Sequence, residues 1–521
     1  MSRVYEELLD RMRQVATLNS VANLLSWDQE TMMPQKAGDF RAEALATIGR
    51  LAHERATDPR IGELLSECEA DAALVTAPDV AANLREMRRD YDRAVKLPSD
   101  LVAEMSEVSS RALEAWKAAR AASDFAAFRP WLERQIGLAR RKAACYGTPP
   151  GGEAYDALLD EYEPGTTAAT LERVFRPLRD ELTPLLAAIA EAAASRPDES
   201  VRALPVPLER QRELNAVILG RIGFDTAAGR LDLSTHPFST GIAPYDTRIT
   251  TRYKETDFAD ALNSTLHEAG HAMYEQGVPA AERWGEPLGE PLGLGVHESQ
   301  SRLWENHVGR SLAFWRFALP IAREVVGPVL DRYSPEDLYR AVNVVRPGLI
   351  RVESDEATYN LHVMLRFDLE RALVRGDLAV HDLPGAWNDR VRRDLGLEVP
   401  DDARGCLQDI HWSMGAIGYF PTYTLGTLYA AQLWEAIGKA IPDVEAEIAR
   451  GEFAPLLGWL RVHVHAHGRR YPASELCERL TGAALGHAPL LRHLRSKLGS
   501  IYQETLSEPG IRGQDARPIR G

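Results

Sequence analysis

Apolar residues recur at helical spacing along most of the chain. The spacing is clearest in three stretches, at residues 8–18, 171–185 and 428–437. Residues 229–254 differ, because Leu231, Leu233, Ile242 and the run 248–253 favour strands over a helix. The pattern therefore predicts a mainly α-helical protein with a small β-sheet near its middle.

The stretch after the predicted sheet, residues 257–277, is predicted to be a single helix. Thr256 and Asp257 offer an N-cap, and Gly277 offers a C-cap. Its apolar side is formed by Phe258, Leu262, Leu266 and Met273. The helix is thus supported by its ends and by its core-facing side, independently of any chemistry that it carries.

This helix contains the pattern His267-Glu268-Ala-Gly-His271. Positions i and i+4 share a helix face, so both imidazoles can bind one zinc ion. Glu268 projects about 100° round the axis, from where it can act as a general base on a water at the ion without being a ligand. The alternative is a buried helix whose histidines are merely hydrogen-bonded. The independent support for the helix favours the metal site.

A catalytic zinc usually has three protein ligands and one open position, so a third donor is expected downstream. The acidic candidates are Glu275, Glu282, Glu286, Glu290 and Glu298. Glu275 would crowd the ion because it follows His271 by one turn, and residues 282–290 lie in a connection rich in proline and glycine. Glu298 opens the next predicted helix, at residues 297–307, and we predict it to be the third ligand.

Several segments together resemble the carboxypeptidase Taq family of metallocarboxypeptidases. The resemblance begins with His267 to His271 followed by His297-Glu-Ser-Gln300. Further matching segments are His236-Pro-Phe238, Asp246-Thr-Arg-Ile-Thr250, and residues 27–34, 350–356, 405–412 and 418–423. Ser354 departs from the family pattern, which usually has Ala there, but the small replacement leaves Arg351 in place.

The resemblance implies removal of single amino acids from the free C-terminus of peptides, with broad tolerance for the side chain. It also implies a large helical body with a long substrate groove, a homodimer, and one divalent metal ion. We expect zinc, although the ligand types do not exclude cobalt. The metal pattern agrees with this reaction, because Glu268 can take a proton from the attacking water and pass it to the leaving amine.

Two arginines lie inside matching segments, Arg248 and Arg351. A guanidinium pairs with a carboxylate through two parallel hydrogen bonds, so either arginine can recognise the terminal α-carboxylate of a peptide. The sequence does not choose between them, and both are predicted to bind substrate. His236 is a further predicted substrate contact.

His411 and Tyr423 are predicted to be hydrogen-bond donors to the oxyanion, because their position resembles that of donors in related helical zinc peptidases. Tyr419 is the substitute if Tyr423 faces away. Asp409 is predicted to hold His411 in one tautomer. His297 is expected to support the site by packing or hydrogen bonding, since a fourth ligand would leave no room for water.

The histidines of Val462-His-Val-His-Ala-His467 form a second possible metal tract. On a helix, however, only His463 and His467 would share a face, and no carboxylate lies at a useful spacing. We therefore do not predict a metal site there.

The chain has 521 residues, and the segments of one site extend from residue 236 to 423. This distribution predicts a single catalytic domain over residues 1–521. Breaks rich in proline at 148–152 and 195–198 set off an N-terminal portion, residues 1–150, whose helices are expected to roof one side of the groove. An edge strand of the sheet could hydrogen-bond a peptide backbone regardless of its side chains.

A net charge of -15 disfavours nucleic acids and anionic membranes as partners. The four cysteines are widely scattered and predict neither a disulfide framework nor a cysteine zinc site. The N-terminus reads as a charged amphipathic helix, and no apolar run reaches membrane length. We therefore expect a soluble cytoplasmic enzyme.

Two other functions are compatible with the sequence. The same chemistry could serve a zinc endopeptidase or a dipeptide-releasing carboxypeptidase, if the groove runs on past the cleavage site. The protein could also be an inactive relative that binds peptides as a scaffold, although the presence of Glu268 and of all three predicted ligands disfavours that reading.

Overall fold

The structure is a computed structural model that describes residues 2–191 and 196–502. Its N-terminal part is helical throughout, which follows from the long amphipathic stretches in this region. These helices are α1 (Arg3–Thr31), α2 (Gly38–Ala56), α3 (Pro59–Ala70), α4 (Ala72–Val75), α5 (Pro78–Lys96), α6 (Ser99–Ala122) and α7 (Phe125–Tyr146). The break predicted at 148–152 is the loop after α7, whereas the break at 195–198 begins at a residue outside the described ones.

The predicted roof, residues 1–150, is divided among three hydrophobic clusters, the smallest of which lies between α6 and α7. Helices α1, α3, α4 and α5 share a small core of their own, which includes Leu8, Leu64 and Met87. Helices α6 and α7 instead bury residues such as Trp116 and Phe128 in the main core of the protein. Helices α1 and α3 to α5 therefore form a unit packed apart from the main core, and α2 packs against α1.

Polar contacts join α1 to α5 to the rest of the chain. Arg469 Nη1 donates to the Asp90 carboxylate on α5 over 2.7 Å, and Asn83 donates to Glu286 over 2.7 Å. On α1, the Trp27 ring lies 4.2 Å from the guanidinium carbon of Arg248. Charged and amide groups thus hold this unit against the body.

The remaining helices carry the main core. They are α8 (Ala154–Leu159), α9 (Ala168–Glu191), α10 (Leu208–Ile222), α11 (Phe258–Glu275), α12 (Leu294–Arg302), α13 (Leu312–Val326), α14 (Pro335–Val342), α15 (Tyr359–Arg375), α16 (Leu383–Leu395), α17 (Pro421–Ala440), α18 (Val444–Arg450), α19 (Ala454–His463), α20 (Ala473–Thr481) and α21 (Ala488–Ile501). The prediction of a mainly helical fold is confirmed. Within the described ranges, no helix combines the length and apolar character needed to cross a membrane.

A three-stranded sheet precedes the helix that carries the histidine pair, as the sequence predicted. Its strands are β1 (Gly229–Leu233), β2 (Ser239–Ala243) and β3 (Asp246–Thr251). The central strand β3 pairs in parallel with β1 and antiparallel with β2. The edge strand β2 is partly engaged by α1, because Asn23 donates a hydrogen bond to the Gly241 carbonyl over 3.1 Å.

Helix α11 follows the sheet and matches the predicted helix at 257–277. The Asp257 carboxylate caps it by accepting from the Asp260 N–H. Its predicted apolar side is buried, and Gly270 allows a close approach of α12. A Cβ at Gly270 would lie 2.5 Å from the Gln300 carbonyl oxygen, so a larger residue would push the two helices apart. This contact sets α12 across α11.

Candidate active site

Three side chains converge on one point between α11 and α12. Glu298 Oε2 lies 3.2 Å from His271 Nε2 and 3.8 Å from His267 Nε2. Ligand atoms about 2.1 Å from a tetrahedral zinc are separated by roughly 3.4 Å, so these spacings suit a shared ion. In the described part of the chain, these three residues are the group whose donor atoms could hold a metal. We call His267, His271 and Glu298 the metal group.

Close packing of three helices directs Glu298 toward the histidines. Helix α12 packs against α11 through Gly270 and against α17 through Gly426. A Cβ at Gly426 would overlap the Cβ of Glu298, so glycine is required for the carboxylate to occupy this position. The third predicted ligand is thus delivered from a rigid second helix, as its position in the sequence suggested.

Charged neighbours fix both the acidic ligand and one imidazole. Arg302 donates to Glu298 Oε1 over 2.7 Å, which leaves Oε2 toward the histidines. His267 Nδ1 lies 2.8 Å from Glu305 Oε2, and Glu305 also accepts from Arg302 and Arg310. The imidazole and the carboxylate of the metal group are therefore oriented by the same salt-bridge network.

His271 is supported differently, through a second imidazole. Its Nδ1 lies 2.6 Å from His297 Nδ1, and His297 Nε2 lies 2.9 Å from Glu275 Oε1. His297 therefore occupies the supporting position that the sequence suggested. Glu275, the rejected candidate ligand, bonds to His297.

Burial and charge set the protonation of the metal group and of Glu268. Burial raises the pKa of Glu268 to about 7. Burial also opposes ionisation of Glu298, but the charges of Arg302 and His267 hold its pKa well below the usual range. For His271, burial lowers the pKa to about 4, so the ring is neutral, as a metal ligand must be. The neighbouring Glu268 titrates near neutrality, where a carboxyl can accept and return a proton.

A second cluster, the loop group, contains Arg351, His411 and Tyr423. The Tyr423 hydroxyl lies 3.3 Å from His411 Nε2, and the Arg351 guanidinium carbon lies 5.0 Å from the Tyr423 ring centre. Burial lowers the pKa of His411 to about 4, which keeps the imidazole neutral. The structure thus brings together three of the predicted side chains from separate segments.

Tyr359 connects the loop group to the metal group. Its hydroxyl accepts from Arg351 over 2.7 Å, and its ring lies 4.5 Å from the guanidinium carbon of Arg302. Helix α17 provides a second connection, because Tyr423 precedes Gly426 by one turn and Gly426 packs on Glu298. The two groups belong to one site.

The remaining predicted substrate residues lie on or beside the sheet. Arg248 is on β3, where its Nε and Nη2 donate to the Asp246 carboxylate over 2.8 Å each and Trp27 covers the guanidinium. His236 is exposed in the segment between β1 and β2. Among the described residues, neither side chain forms a hydrogen bond with the metal group or the loop group.

Comparison with known proteins places the chain in a family. Residues 7–498 match the family model described as carboxypeptidase Taq (M32) metallopeptidase. The chain belongs to this family. It is therefore a metallocarboxypeptidase, a class that works with a divalent metal ion, and the predicted resemblance is confirmed.

Individual M32 relatives match over almost their whole length. Thermostable carboxypeptidase 1 of Thermus thermophilus is 47% identical over 96% of this chain and 99% of its own. Carboxypeptidase 1 of Bacillus subtilis is 35% identical, over 95% and 98% respectively. The crystal structure of the M32 carboxypeptidase from Deinococcus radiodurans R1 superposes with a TM-score of 0.92 at 42% identity, over 96% of this chain and 99% of that one.

Asp409 does not bond to His411, so this expectation for the M32 chain was wrong. Its carboxylate accepts from Arg351 Nη2 over 2.8 Å and from Arg366 Nε over 2.7 Å. Two guanidinium groups compete more strongly for a buried carboxylate than a neutral imidazole does. They also hold the pKa of Asp409 well below its usual range despite burial.

The histidines at 463–467 do not lie on one continuous helix, which the sequence prediction had assumed. Helix α19 ends at His463, and a 3-10 turn spans His465–His467, so His463 and His467 do not share a helix face. His465 is buried with its Nε2 3.1 Å from the Gln300 side-chain oxygen. This contact between His465 and Gln300 helps to hold α12 in place.

Sequence reasoning missed Arg302, Glu305 and Tyr359. Arg302 follows Glu298 by four residues on a predicted helix, so the spacing alone could have paired them. Glu305 lies in a π-helical segment, Leu303–Gly309, whose wider turn is not apparent from residue spacing. Tyr359 reaches the site only through the tertiary fold.

Proposed function

We propose that this metallocarboxypeptidase releases single amino acids from the free C-terminus of peptides, with broad side-chain tolerance. The observation that carries the proposal is the metal group with Glu268 beside it on the same helix. His267, His271 and Glu298 would hold the ion, and two imidazoles with one carboxylate suit zinc, although cobalt takes the same ligands. When bound, the ion would polarise the peptide carbonyl and make an attacking water more acidic.

Glu268 is proposed to be the general base. It follows His267 by one residue and precedes His271 by three, and it is only 6% exposed. Its pKa of about 7 matches a group that takes a proton from water and returns it to the leaving amine at neutral pH. A fully solvated glutamate would be a weaker base.

Tyr423 and His411 are proposed to stabilise the oxyanion that forms on the peptide carbonyl. Burial raises the pKa of Tyr423 well above its usual value, so its hydroxyl keeps a proton to donate. His411 Nε2 lies within reach of that hydroxyl and can orient it. A donor whose hydrogen bond strengthens as charge develops lowers the barrier of the reaction.

Arg351 is proposed to bind the terminal carboxylate of the substrate. Three of its five N–H groups are used by Asp409 and Tyr359, which fix the guanidinium in place. One N–H on each terminal nitrogen remains, which is the fork that pairs with a carboxylate. Arg248 and His236 are retained as contacts with more distant parts of the substrate.

The wider organisation is also part of the proposal. Helices α1 to α5, with their separate small core, would roof a long groove within a single catalytic domain. A homodimer is proposed from the resemblance, and a cytoplasmic location is proposed from the sequence. All four cysteines, Cys68, Cys145, Cys406 and Cys477, are free, which suits a reducing compartment.

A matched pair of peptides tests the function. A free-acid tripeptide and its C-terminally amidated twin are incubated with the zinc-loaded protein, and released amino acids are measured. Release of the last residue from the free acid alone is expected. Equal cleavage of both peptides would indicate an endopeptidase, and binding without cleavage would indicate a scaffold. Release of the first residue together with the C-terminal dipeptide would indicate the alternative carboxypeptidase, because the proposed activity leaves the N-terminal dipeptide. Glu268→Gln serves as the control for contaminating peptidases.

A further inference from the structure

We propose that His297 and Glu275 are positioning residues that fix the orientation and tautomer of the metal ligand His271. The inference rests on the proposed metal site. The three side chains form a continuous chain, with 2.6 Å between the Nδ1 atoms of His271 and His297 and 2.9 Å between His297 Nε2 and Glu275 Oε1. Both spacings are short enough for hydrogen bonds.

The proton positions along this chain follow from the role of the first member. His271 turns Nε2 toward Glu298, so a neutral His271 that binds an ion there carries its proton on Nδ1. That N–H can donate only if His297 Nδ1 accepts, which puts the proton of His297 on Nε2. Glu275 then accepts this proton's hydrogen bond, so a single arrangement satisfies all three groups.

The two histidines of the metal group therefore have different supports. His267 bonds directly to a carboxylate, Glu305, which two arginines also hold. His271 reaches a carboxylate only through His297. Because the link has two steps, the orientation of His271 depends on the position of Glu275.

The surroundings of Glu275 are shaped to hold its carboxylate. A Cβ at Gly241 on β2 would lie 2.9 Å from Glu275 Oε2, so glycine leaves the room that this oxygen needs. Glu275 also borders a cavity of about 520 Å³ between α1, β2 and the segment after α11. The carboxylate is thus placed between the sheet and His297, with access to the cavity on its other side.

Helix stability does not account for a glutamate at this position. Glu275 is the last residue of α11, where the partial negative charge of the helix end disfavours a carboxylate. A residue that opposes local stability is expected to serve another purpose. Its bond to His297 supplies one.

The test measures zinc affinity by competition with a chelator, on the full chain. Glu275→Ala is expected to weaken binding by about 10- to 100-fold, and Glu275→Gln, which keeps an acceptor oxygen, by less than about 3-fold. Glu275→Ala combined with His297→Ala is expected to bind no more weakly than His297→Ala alone, because both residues act through one chain. The control Glu282→Ala, which borders the same cavity, is expected to leave affinity unchanged.

The visible absorption of the cobalt-substituted protein provides a second readout. Glu275→Ala is expected to shift the bands, and Glu275→Gln to restore them. The inference would be overturned if Glu275→Ala left both the zinc affinity and the spectrum unchanged. It would also be overturned if Glu275→Ala and Glu275→Gln weakened zinc binding equally, or if the losses were additive in the double variant. His271→Ala separates this result from failure of the metal site itself. If His271→Ala keeps full zinc affinity, the proposed metal site is wrong. If His271→Ala loses zinc affinity but Glu275→Ala does not, only the positioning role of His297 and Glu275 is rejected.

Discussion

The metal group and the loop group differ in how completely their polar atoms are bonded. In the metal group, both imidazole Nδ1 atoms and both oxygens of Glu298 have close polar neighbours within the protein. In the loop group, His411 Nδ1 is buried without a hydrogen-bond partner among the described residues. The polar atoms of the first group are thus bonded within the protein, whereas the second group contains a buried polar atom that the described residues leave unbonded.

The difference follows from the elements that carry each group. The metal ligands stand on α11 and α12, whose contact is fixed by Gly270 and Gly426. Arg351 and His411 instead stand on 3-10 turns, Arg351–Glu353 and His411–Met414. The second turn is held from the N-terminal part of the chain.

That support comes from α6 and α7. Gln135 Nε2 donates to the Ser413 carbonyl over 2.7 Å, and the Ser109 hydroxyl donates to the Met414 carbonyl over 3.2 Å. These helices therefore serve the catalytic body directly. We therefore propose only α1 to α5 for the roof, which remains a prediction.

The largest expected effect is the loss of activity when Glu268, the proposed general base beside the metal group, is replaced. Glu268→Gln removes the proton acceptor but keeps the shape of the side chain, so kcat is expected to fall by about 10²–10⁴-fold. Zinc content, measured by mass spectrometry of the metal, is expected to stay at the wild-type level. Substantial residual turnover would remove Glu268 from the base role.

In the loop group, Tyr423→Phe removes one donor to the oxyanion. The expected result is a fall in kcat of about 10²–10³-fold with little change in KM, because the bond strengthens only as the reaction proceeds. Tyr419→Phe is the matched control, since Tyr419 lies 5.4 Å away ring to ring. A larger loss in Tyr419→Phe would transfer the role to Tyr419.

Arg351→Lys keeps the charge but loses the planar fork. With a free-acid peptide, kcat/KM is expected to fall by about 10- to 100-fold through KM, as charged hydrogen bonds contribute about 1.5–3 kcal/mol. Arg248→Lys is the parallel variant and is expected to change KM less. The opposite ranking would assign the terminal carboxylate to Arg248.

The last expected effect is on stability and leaves the reaction itself unchanged. Glu163 is fully buried and accepts from the Gly295 N–H at the start of α12, and burial raises its pKa to about 7. The ionised form is thus less favourable in the folded protein than in the unfolded chain. Its cost is absent below the usual value of 4.5, grows as the pH rises, and reaches about 3 kcal/mol above pH 7.

Glu163→Gln tests this cost because the amide stays neutral and can still accept from Gly295. Thermal unfolding is compared between the variant and the wild type from pH 5 to pH 8. The variant is expected to gain stability relative to the wild type as the pH rises. A difference that is independent of pH would show that ionisation of Glu163 does not lower the stability of the folded protein.

The sequence was sufficient for the helical fold, the sheet and the family, because each follows from local spacing or from contiguous segments. Glu298 was predictable because it lies on a helix that must be near the histidine pair, although this helix begins at Leu294 and not at the predicted residue 297. Glu305 was not, since the π-helical segment changes which residues share a face. The hydrogen-bond partners of Asp409 could not be predicted from the sequence either, because Arg351 and Arg366 meet it only through the packing of α15 against distant loops.

The most direct test of the metal group is anomalous diffraction at the zinc absorption edge from crystals of the zinc-loaded protein. The account predicts one peak about 2.0–2.2 Å from His267 Nε2, His271 Nε2 and Glu298 Oε2, with no further protein ligand. A peak with Glu275 in place of Glu298, or one located elsewhere in the chain, would contradict it.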